Sequence, residues 1–252
     1  MTKNNRELSY PRICAHRGFN TVAPENSMAA WGAAFALGAD EIEFDLWSTS
    51  DGVIVSSHDP TLERVSDGQG LVYEKTYDEL IKLDFGKKFN EKFTGLRIVK
   101  FEDILQKFAC QVIMNIHVKS LSDDYCQETM KIIVALVRKY GCEKYVYFMI
   151  NHRGVAKMFK EYAPDIDICL GHLNSEPYTI VDKAIEIGVH KVQLWTTHLT
   201  QELIDKAHSN GIKCNLFYTD NPEDARKYLQ MGIDTILTND FFPIAVATKD
   251  LR

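Results

Sequence analysis

The chain alternates short apolar runs typical of β-strands with segments whose apolar residues recur at helical spacing. The apolar runs cover residues 13–16, 41–46, 112–118, 145–150, 166–170, 191–195, 213–218 and 235–237. Helical spacing occupies most of the intervals, at residues 27–37, 125–140, 155–162, 179–187, 201–209 and 222–231. Because a right-handed crossover returns each strand beside the previous one, this alternation predicts a parallel sheet closed into a (β/α)8 TIM barrel.

Glycine and capping residues mark the ends of several predicted helices. A glycine that can adopt the left-handed conformation follows three helices, at Gly38, Gly188 and Gly232. Polar residues occupy the expected N-cap positions at Asn26, Thr200 and Asn221. An open doubly wound sheet is the alternative architecture, although the chain lacks the G-x-G-x-x-G sequence of its dinucleotide-binding form.

The length of 252 residues fits one barrel domain or two smaller domains, so the sequence pattern has to decide. No linker rich in Pro, Gly or Ser divides the chain, and we predict a single barrel domain over residues 1–252. The second and third strands are separated by about 65 residues, far more than a usual crossover. This separation predicts an insertion at about residues 47–110.

The insertion begins with a hairpin signal. Residues 44–49 and 53–58 are alternating apolar segments on either side of Asp51-Gly52, a preferred hairpin turn. A reversal at this turn would place residues near Glu43 and Asp45 across from His58 and Asp59. Two motifs that are distant in the sequence would then meet at one place.

The rest of the insertion is polar. Residues 67–93 are rich in Gly, Lys and Asp, with a short helical stretch near residues 77–83, and predict a surface excursion that caps one end of the barrel. Phe85, Phe89 and Phe93 recur at intervals of four within it. These rings either pack the insertion against the barrel or form an apolar rim for a lipid.

Composition excludes several classes of protein. The chain carries 29 Lys+Arg against 35 Asp+Glu, a formal charge of −6, which disfavours a nucleic-acid-binding protein. Six dispersed cysteines without a C-x-x-C pair disfavour a disulfide framework or a zinc cluster. Residues 1–12 are polar and no run of 18 apolar residues occurs, so we predict no integral membrane segment and a cytoplasmic location.

Carboxylates of the second strand suggest a metal site. Glu43 and Asp45 share one face of that strand, at the end of the barrel where catalytic groups gather. Two adjacent carboxylates repel unless a cation lies between them, which predicts a divalent metal; a salt-bridged pair in the barrel interior is the alternative. His117 in the third strand has matching parity and is either a third ligand or a hydrogen-bonded core residue.

Other inward-facing residues suit acid–base chemistry on a phosphate ester. His16 and His58 end different strands, and imidazoles can accept and donate protons near neutral pH. Arg17 offers a planar fork that matches a phosphate. Further candidate substrate contacts are the inward-facing Lys119, Trp195 and Phe217, the two aromatic rings being either pocket walls or core residues.

Four motifs resemble, in order and at similar spacing, those of the glycerophosphodiester phosphodiesterase family. They are residues 15–18 (AHRG), 23–27 (APENS), 38–45 (GADEIEFD) and 51–62, from Asp-Gly through HDPTL. Similarity continues at residues 75–80, 115–119, 221–223 and 236–240. The resemblance implies a phospholipase C-like barrel that hydrolyses glycerophosphodiesters to an alcohol and glycerol 3-phosphate with one divalent metal ion, Mg²⁺ or Ca²⁺.

The resemblance also implies roles for individual residues. His16 and His58 would form the acid–base pair, Arg17 would contact the phosphate, and Glu43 and Asp45 would be metal ligands.

Three positions depart from the family pattern. His117 stands where the family usually has a glutamate ligand, Phe217 replaces a usual tryptophan, and the usual proline near Val99 is missing. Because imidazole suits transition metals, His117 makes Mn²⁺ or Zn²⁺ possible and predicts metal binding that weakens as pH falls through the imidazole pKa.

We therefore predict an enzyme with a small-molecule glycerophosphodiester substrate. The alternatives are a lysophospholipase D-like activity on lipid phosphodiesters and a non-catalytic barrel that binds phosphodiesters.

Overall fold

The computed structural model describes residues 9–172 and 176–252. Within these residues, ten strands form one sheet. They are β1 (Arg12–Ala15), β2 (Glu41–Ser48), β3 (Ile54–Ser56), β4 (Val99–Lys100), β5 (Ile113–Val118), β6 (Val146–Ile150), β7 (Asp167–Leu170), β8 (Lys191–Trp195), β9 (Lys213–Phe217) and β10 (Thr235–Thr238).

Eight of these strands close into a parallel barrel. Their order is β1-β10-β9-β8-β7-β6-β5-β2, and β1 also pairs with β2, which closes the ring. Both β3 and β4 lie outside the ring, in the chain between β2 and β5. The predicted (β/α)8 barrel is confirmed.

The described α-helices flank the barrel strands, except for one short helix that lies in the insertion. They are α1 (Met28–Ala36), α2 (Tyr77–Leu80), α3 (Phe101–Phe108), α4 (Gln127–Lys139), α5 (Arg153–Tyr162), α6 (Ile180–Ile187), α7 (Gln201–Ser209), α8 (Pro222–Gln230) and α9 (Phe241–Ala247). None of these helices has the length and apolar character needed to cross a bilayer.

Side-chain caps begin the helices that follow Thr200 and Asn221, as predicted. The Thr200 hydroxyl accepts from the Leu203 N–H, and the Asn221 side chain accepts from two backbone N–H groups of α8. The prediction of Asn26 as a cap is wrong, because Ser27 caps α1 by accepting from the Ala30 N–H. Asn26 has a positive φ of 52° and its side chain reaches β2 instead.

The alternation of side chains along β5 separates the two layers of the core. Met114, Ile116 and Val118 pack outward in the main hydrophobic cluster, under the helices. Asn115 and His117 alternate with them and are buried on the opposite face, inside the barrel. The polar face of β5 is thus enclosed rather than solvated.

Buried charged and polar groups close the amino-terminal end of the barrel. Glu41 accepts a hydrogen bond from Arg12 Nη1 (3.1 Å) and another from the Tyr147 hydroxyl (2.7 Å). The Asn215 amide donates to the same hydroxyl (3.0 Å). Because a buried charge is costly unless it is paired and hydrogen-bonded, these contacts offset the cost of burying Glu41 at the floor of the barrel.

The insertion extends the sheet at β2. The strands β2 and β3 form an antiparallel hairpin in which Leu46 pairs with Ser56, and β3 pairs with β4. A second hydrophobic cluster, the insertion cluster, packs around this hairpin and consists of Trp47, Val55, Leu62, Val72, Leu80 and Ile98. The predicted helical stretch near residues 77–83 is the short helix α2, which begins with a capping box between Thr76 and Glu79.

Helix α3 falls inside the range predicted for the insertion, but it packs against the barrel. Its buried residues Phe101, Ile104, Leu105 and Phe108 belong to the main hydrophobic cluster.

Candidate active site

The predicted functional residues meet at the carboxyl-terminal end of the barrel. A cavity of about 320 Å³ at this end is lined by His16, Arg17, Glu43, His58, His117, Lys119, Trp195 and Phe217, together with five further residues. Asp45 contacts this group through Lys119 and His117. The structure therefore brings all nine predicted side chains to one place.

Strand register positions the carboxylates. Glu43 and Asp45 both face inward from β2 and are almost fully buried. Asp45 is the register partner of His117 on β5, and its Oδ1 atom lies 3.0 Å from His117 Nδ1 and 2.9 Å from Lys119 Nζ. Neither contact has hydrogen-bond geometry, so this buried oxygen lacks a hydrogen-bond partner.

The two carboxylates have opposite pKa shifts. Burial, together with the nearby charge of Asp45, raises the pKa of Glu43 to about 8. Burial alone would also raise the pKa of Asp45, but Lys119 and His117 hold that pKa well below its usual range. At neutral pH the pair thus holds one proton, as expected for two carboxyl groups that share a buried site.

A metal ion fits this group of side chains. Glu43, Asp45 and His117 each offer one ligand atom, and these atoms lie within 4.8 Å of one another. Burial and Lys119 lower the pKa of His117 to about 3, so its imidazole is neutral and available as a ligand. A cation would also satisfy Asp45 Oδ1 and favour the ionised form of Glu43.

His16 is held in one tautomer. Its Nδ1 lies 2.8 Å from Asn239 Oδ1, and the Asn239 amide nitrogen donates to Asp220 (2.9 Å), which orients the amide oxygen toward the ring. Nδ1 of His16 therefore carries the proton, and Nε2, 4.0 Å from Glu43 Oε2, has the lone pair. Burial and Arg17 lower the pKa of His16 to about 4, so this lone pair is free at neutral pH.

His58 is held in a similar way from the insertion. Its Nδ1 lies 2.6 Å from Asp59 Oδ1, a carboxylate oxygen that can only accept a proton. Asp59 contacts Arg64, which makes two 2.7 Å hydrogen bonds to Glu25. Burial lowers the pKa of His58, although the charge of Asp45 and the hydrogen bond with Asp59 act in the opposite direction.

Arg17 completes this chain of charged groups. Its guanidinium donates to Glu25 (3.1 Å), and its Nε lies 3.7 Å from Asp45 Oδ2. Its backbone N–H donates to Glu43 Oε2 (2.8 Å). A positive φ of 55° at Arg17 allows the backbone and the side chain to contact both carboxylates.

Asn26 is a site residue that the sequence analysis missed. Its amide nitrogen donates to Asp45 Oδ2 (2.9 Å), while its oxygen accepts from the Asp45 N–H (3.2 Å) and the Ser56 hydroxyl (3.0 Å). It therefore fixes Asp45 and ties β3 to β2. The position of Asn26 in the APENS motif could have indicated a site residue, but its position just before a helix led to the wrong prediction of an N-cap. Glu25, Asp59 and Asn239 were also missed as partners of the predicted residues.

An aromatic wall forms the opposite side of the cavity. The rings of Trp195 and Phe217 lie 5.3 Å apart, and His172 stacks on Trp195 at 4.4 Å. His172 and Gln193 also line the cavity. The wall therefore combines the apolar ring faces of Trp195 and Phe217 with the polar side chains of His172 and Gln193.

Comparison with known proteins identifies the family. The model of the glycerophosphoryl diester phosphodiesterase family matches residues 16–241. The chain belongs to this family. The glycerophosphodiester phosphodiesterase of Caldanaerobacter subterraneus is 32% identical over 231 residues, which cover 90% of this chain and 93% of that protein. The predictions of the family and of an enzyme of this class, a phosphoric diester hydrolase, are confirmed.

Solved structures share the fold of this glycerophosphoryl diester phosphodiesterase family member. A putative glycerophosphoryl diester phosphodiesterase from Silicibacter pomeroyi matches with a TM-score of 0.87 at 23% identity, covering 96% of this chain and 94% of that chain. An Oleispira antarctica phosphodiesterase in complex with the product sn-glycerol-3-phosphate matches with a TM-score of 0.86 at 21% identity, covering 95% and 97%. These likenesses confirm the barrel.

Proposed function

We propose that the protein hydrolyses glycerophosphodiesters to an alcohol and glycerol 3-phosphate, with a divalent metal at Glu43, Asp45 and His117. One observation carries this proposal. His16 and His58 each have Nδ1 held by an oxygen acceptor and a lowered pKa, and both line the cavity that contains the buried carboxylates. The Oleispira antarctica relative, whose structure contains sn-glycerol-3-phosphate, supports the choice of product.

A divalent ion bound at this site would polarise the phosphoryl oxygens and neutralise charge that develops on them. Two carboxylates and one imidazole give a ligand set of formal charge about −2 instead of the −3 of three carboxylates. Hard cations such as Mg²⁺ and Ca²⁺ prefer oxygen ligands, whereas imidazole also suits Mn²⁺ and Zn²⁺. We therefore propose selectivity shifted toward the transition metals.

The cationic residues would bind the phosphate. Arg17 and Lys119 approach Asp45 from different directions, at 3.7 Å and 2.9 Å, and both line the cavity. A guanidinium can hold two phosphate oxygens, and an ammonium adds a compact positive charge. Trp195 and Phe217 would then contact the glycerol carbons, with the polar edges of the wall near its hydroxyls.

The two histidines would move the protons. One neutral imidazole would accept the proton of the nucleophile through Nε2. The other would take up a second proton from solvent at Nε2, keeping its Nδ1–H, and would deliver that proton to the leaving alkoxide. The nucleophile is either water or the free hydroxyl of the glycerol moiety; the second route would release the alcohol and give a cyclic phosphate, which a water molecule would then open to glycerol 3-phosphate. Asp59 and Asn239 would keep each ring in the tautomer that this exchange requires.

The lipid alternative has limited support from the phenylalanines of the insertion. Phe85 packs against the insertion cluster, and Phe89 and Phe93 pack edge to face at 5.6 Å. Phe89 is 43% exposed, so one ring of the three could contribute to an apolar rim. The non-catalytic alternative gains no support from a site in which both histidines are positioned.

A direct assay tests this function. Purified protein is incubated with glycerophosphocholine, glycerophosphoethanolamine and lysophosphatidylcholine, with and without a chelator, and glycerol 3-phosphate and the released alcohols are measured. We expect chelator-sensitive hydrolysis of the two water-soluble diesters. Absence of hydrolysis with Mg²⁺, Ca²⁺, Mn²⁺ and Zn²⁺ would overturn the proposal, and faster turnover of the lysolipid would favour the lipid alternative.

Two organisational predictions remain proposals. We propose that the barrel and the insertion form a single domain, supported by the hydrogen-bonded strands that join β2 to β3 and β4. The cytoplasmic location stays a prediction from the sequence.

A further inference from the structure

A second cavity, which we call the insertion cavity, opens beside the active site. It has a volume of about 200 Å³ and lies between the insertion and the chain before α1. Its lining includes Glu25, Arg64, Lys88, Phe89 and Arg97. His58 lines both this cavity and the active-site cavity, so the two adjoin at this residue.

The charged groups of the insertion cavity are mostly cationic. Among the residues that the structure describes, three cationic side chains and one carboxylate line it, which gives these residues a formal charge of +2 with His58 neutral. Arg64 pairs with Glu25, the one acidic residue of the lining. The remaining positive charge belongs to Lys88 and Arg97.

Lys88 and Arg97 contact carbonyl oxygens instead of carboxylates. The Lys88 ammonium donates to the Glu63 carbonyl, and Arg97 donates to the Leu83 carbonyl at 2.8 Å. Among the described residues, neither cation has a carboxylate oxygen within 4.0 Å. Glu63 and Asp84 lie outside the lining; their carboxylates accept backbone N–H groups, and the charges of Lys88 and Arg97 lower the pKa values of Glu63 and Asp84, respectively.

The barrel geometry puts the insertion cavity on the side of the active site away from the aromatic wall. The hairpin that leads to it extends β2, whereas Trp195 lies at the end of β8. In the ring, β8 is four strands from β2 in both directions. A diester whose phosphate contacts Arg17 and Lys119, with its glycerol on the aromatic wall, would direct its second alcohol toward His58 and the insertion cavity.

We propose that the insertion cavity binds the alcohol moiety of the substrate, and that Lys88 and Arg97 select glycerophosphodiesters whose alcohol carries a negative charge. This inference rests on the proposed function. Cationic alcohols such as choline and ethanolamine would meet like charges in the cavity, whereas an added phosphate would form charge-assisted hydrogen bonds. Phe85 and Phe89, which line the cavity, would contact the carbon skeleton of the alcohol.

Matched substrates test the charge preference. Glycerophosphoinositol 4-phosphate and glycerophosphoinositol share one ring and differ by a phosphate, and glycerophosphocholine supplies a cation. We expect kcat/KM to be at least about tenfold higher for the phosphorylated diester than for the other two, as charge-assisted hydrogen bonds allow. The double variant K88Q/R97Q should reduce this ratio to about twofold or less.

A control variant separates local contacts from the general loss of positive charge. K87Q/K92Q removes two exposed charges of the same insertion that do not line the cavity, and it should retain the substrate ratio. Equal melting temperatures of the two double variants would show that both insertions remain folded.

A binding measurement keeps the two proposals distinguishable. Calorimetric titration with inositol 4-phosphate, the alcohol that hydrolysis would release, measures binding without turnover. Tighter binding by the wild type than by K88Q/R97Q would support the proposed binding of the alcohol in the insertion cavity, even if no diester is hydrolysed. Equal binding by these two proteins overturns the inference. A wild-type preference for glycerophosphocholine would also overturn it while leaving the proposed hydrolysis intact.

Discussion

His117 Nδ1 lies 3.0 Å from Asp45 Oδ1 because the two residues are register partners on neighbouring parallel strands. The pairing of β2 with β5 therefore places the His117 imidazole beside the carboxylates of Glu43 and Asp45. A one-residue slip of β5 along β2 would turn His117 out of the barrel and leave Asp45 facing inward without it. The position of this ligand set is thus as rigid as the barrel wall.

His117→Glu should change the metal preference of the site. It would replace a neutral nitrogen with a third carboxylate, which favours Mg²⁺ and Ca²⁺ over Mn²⁺ and Zn²⁺. Titration calorimetry with each ion measures the preference. His117→Ala is the companion variant and should weaken Mn²⁺ binding; unchanged preference in His117→Glu, or unchanged affinity in His117→Ala, would make His117 a structural residue of the core.

Metal binding should strengthen with rising pH up to about pH 8. The pKa of Glu43 is raised to about 8 from an ordinary value of 4.5, so the metal-free fold carries a proton there that a bound cation must displace. Proton release at pH 7, measured by calorimetry in buffers of different ionisation enthalpy, should be close to one per ion and should disappear in Glu43→Gln. Affinity that does not change between pH 6 and 8 would contradict this expectation.

The same proton should stabilise the metal-free protein at low pH. A raised carboxyl pKa means that the folded state binds more protons than the unfolded chain between about pH 4.5 and 8. This contribution to the free energy of unfolding is fully present below pH 4.5 and is lost as pH rises through 8. Chemical denaturation of chelated wild type and Glu43→Gln across this range measures the difference, and parallel pH profiles would refute it.

Loss of either histidine should cost at least about a hundredfold in kcat, in line with the usual contribution of general acid–base catalysis. His16→Ala and His58→Ala remove the two positioned imidazoles and should retain the metal ligands. His190→Ala, which removes an exposed histidine away from the site, is the matched control and should behave as wild type. Full activity of His16→Ala would refute the assigned acid–base pair.

Removal of the Asn26 side chain should weaken metal binding without unfolding the barrel. Asn26→Gly tolerates the positive φ and deletes the three hydrogen bonds to Asp45 and Ser56. Leaving a buried N–H unpaired costs about 1–3 kcal/mol. The melting temperature and the Mn²⁺ affinity of Asn26→Gly are compared with those of Ser56→Ala, which loses only one of these hydrogen bonds. Wild-type Mn²⁺ affinity in Asn26→Gly would show that Asp45 does not need the hydrogen bonds of Asn26 to bind metal.

The sequence was sufficient to predict the barrel and the meeting of nine site residues, because strand periodicity fixes which side chains face inward. The sequence was not sufficient to predict the role of Asn26, since an asparagine just before a helix is also a common N-cap. The left-handed backbone conformation that directs its side chain to Asp45 depends on the tertiary structure. The chain from His58 through Asp59 and Arg64 to Glu25 depends on how the insertion folds back. No local pattern encodes that contact.

The lowered pKa of His117 changes one expectation drawn from the sequence. Metal loss through protonation of the imidazole was predicted near the ordinary histidine pKa, but burial and Lys119 lower that pKa to about 3. At mildly acidic pH the carboxyl group of Glu43, with its raised pKa, should control metal affinity instead.

The closure of the ring leaves little of this sheet open to other chains. Both ends of the strand order in the barrel are joined through β1 and β2, so in the described part of the chain the sheet order ends at β4, which consists of the buried Val99 and the half-buried Lys100. Unpaired strand edges are where chains add to one another during aggregation, and short edges with a lysine resist such growth. The insertion thus enlarges the molecule around its active site and ends the sheet with a strand of two residues, too short to seed intermolecular pairing.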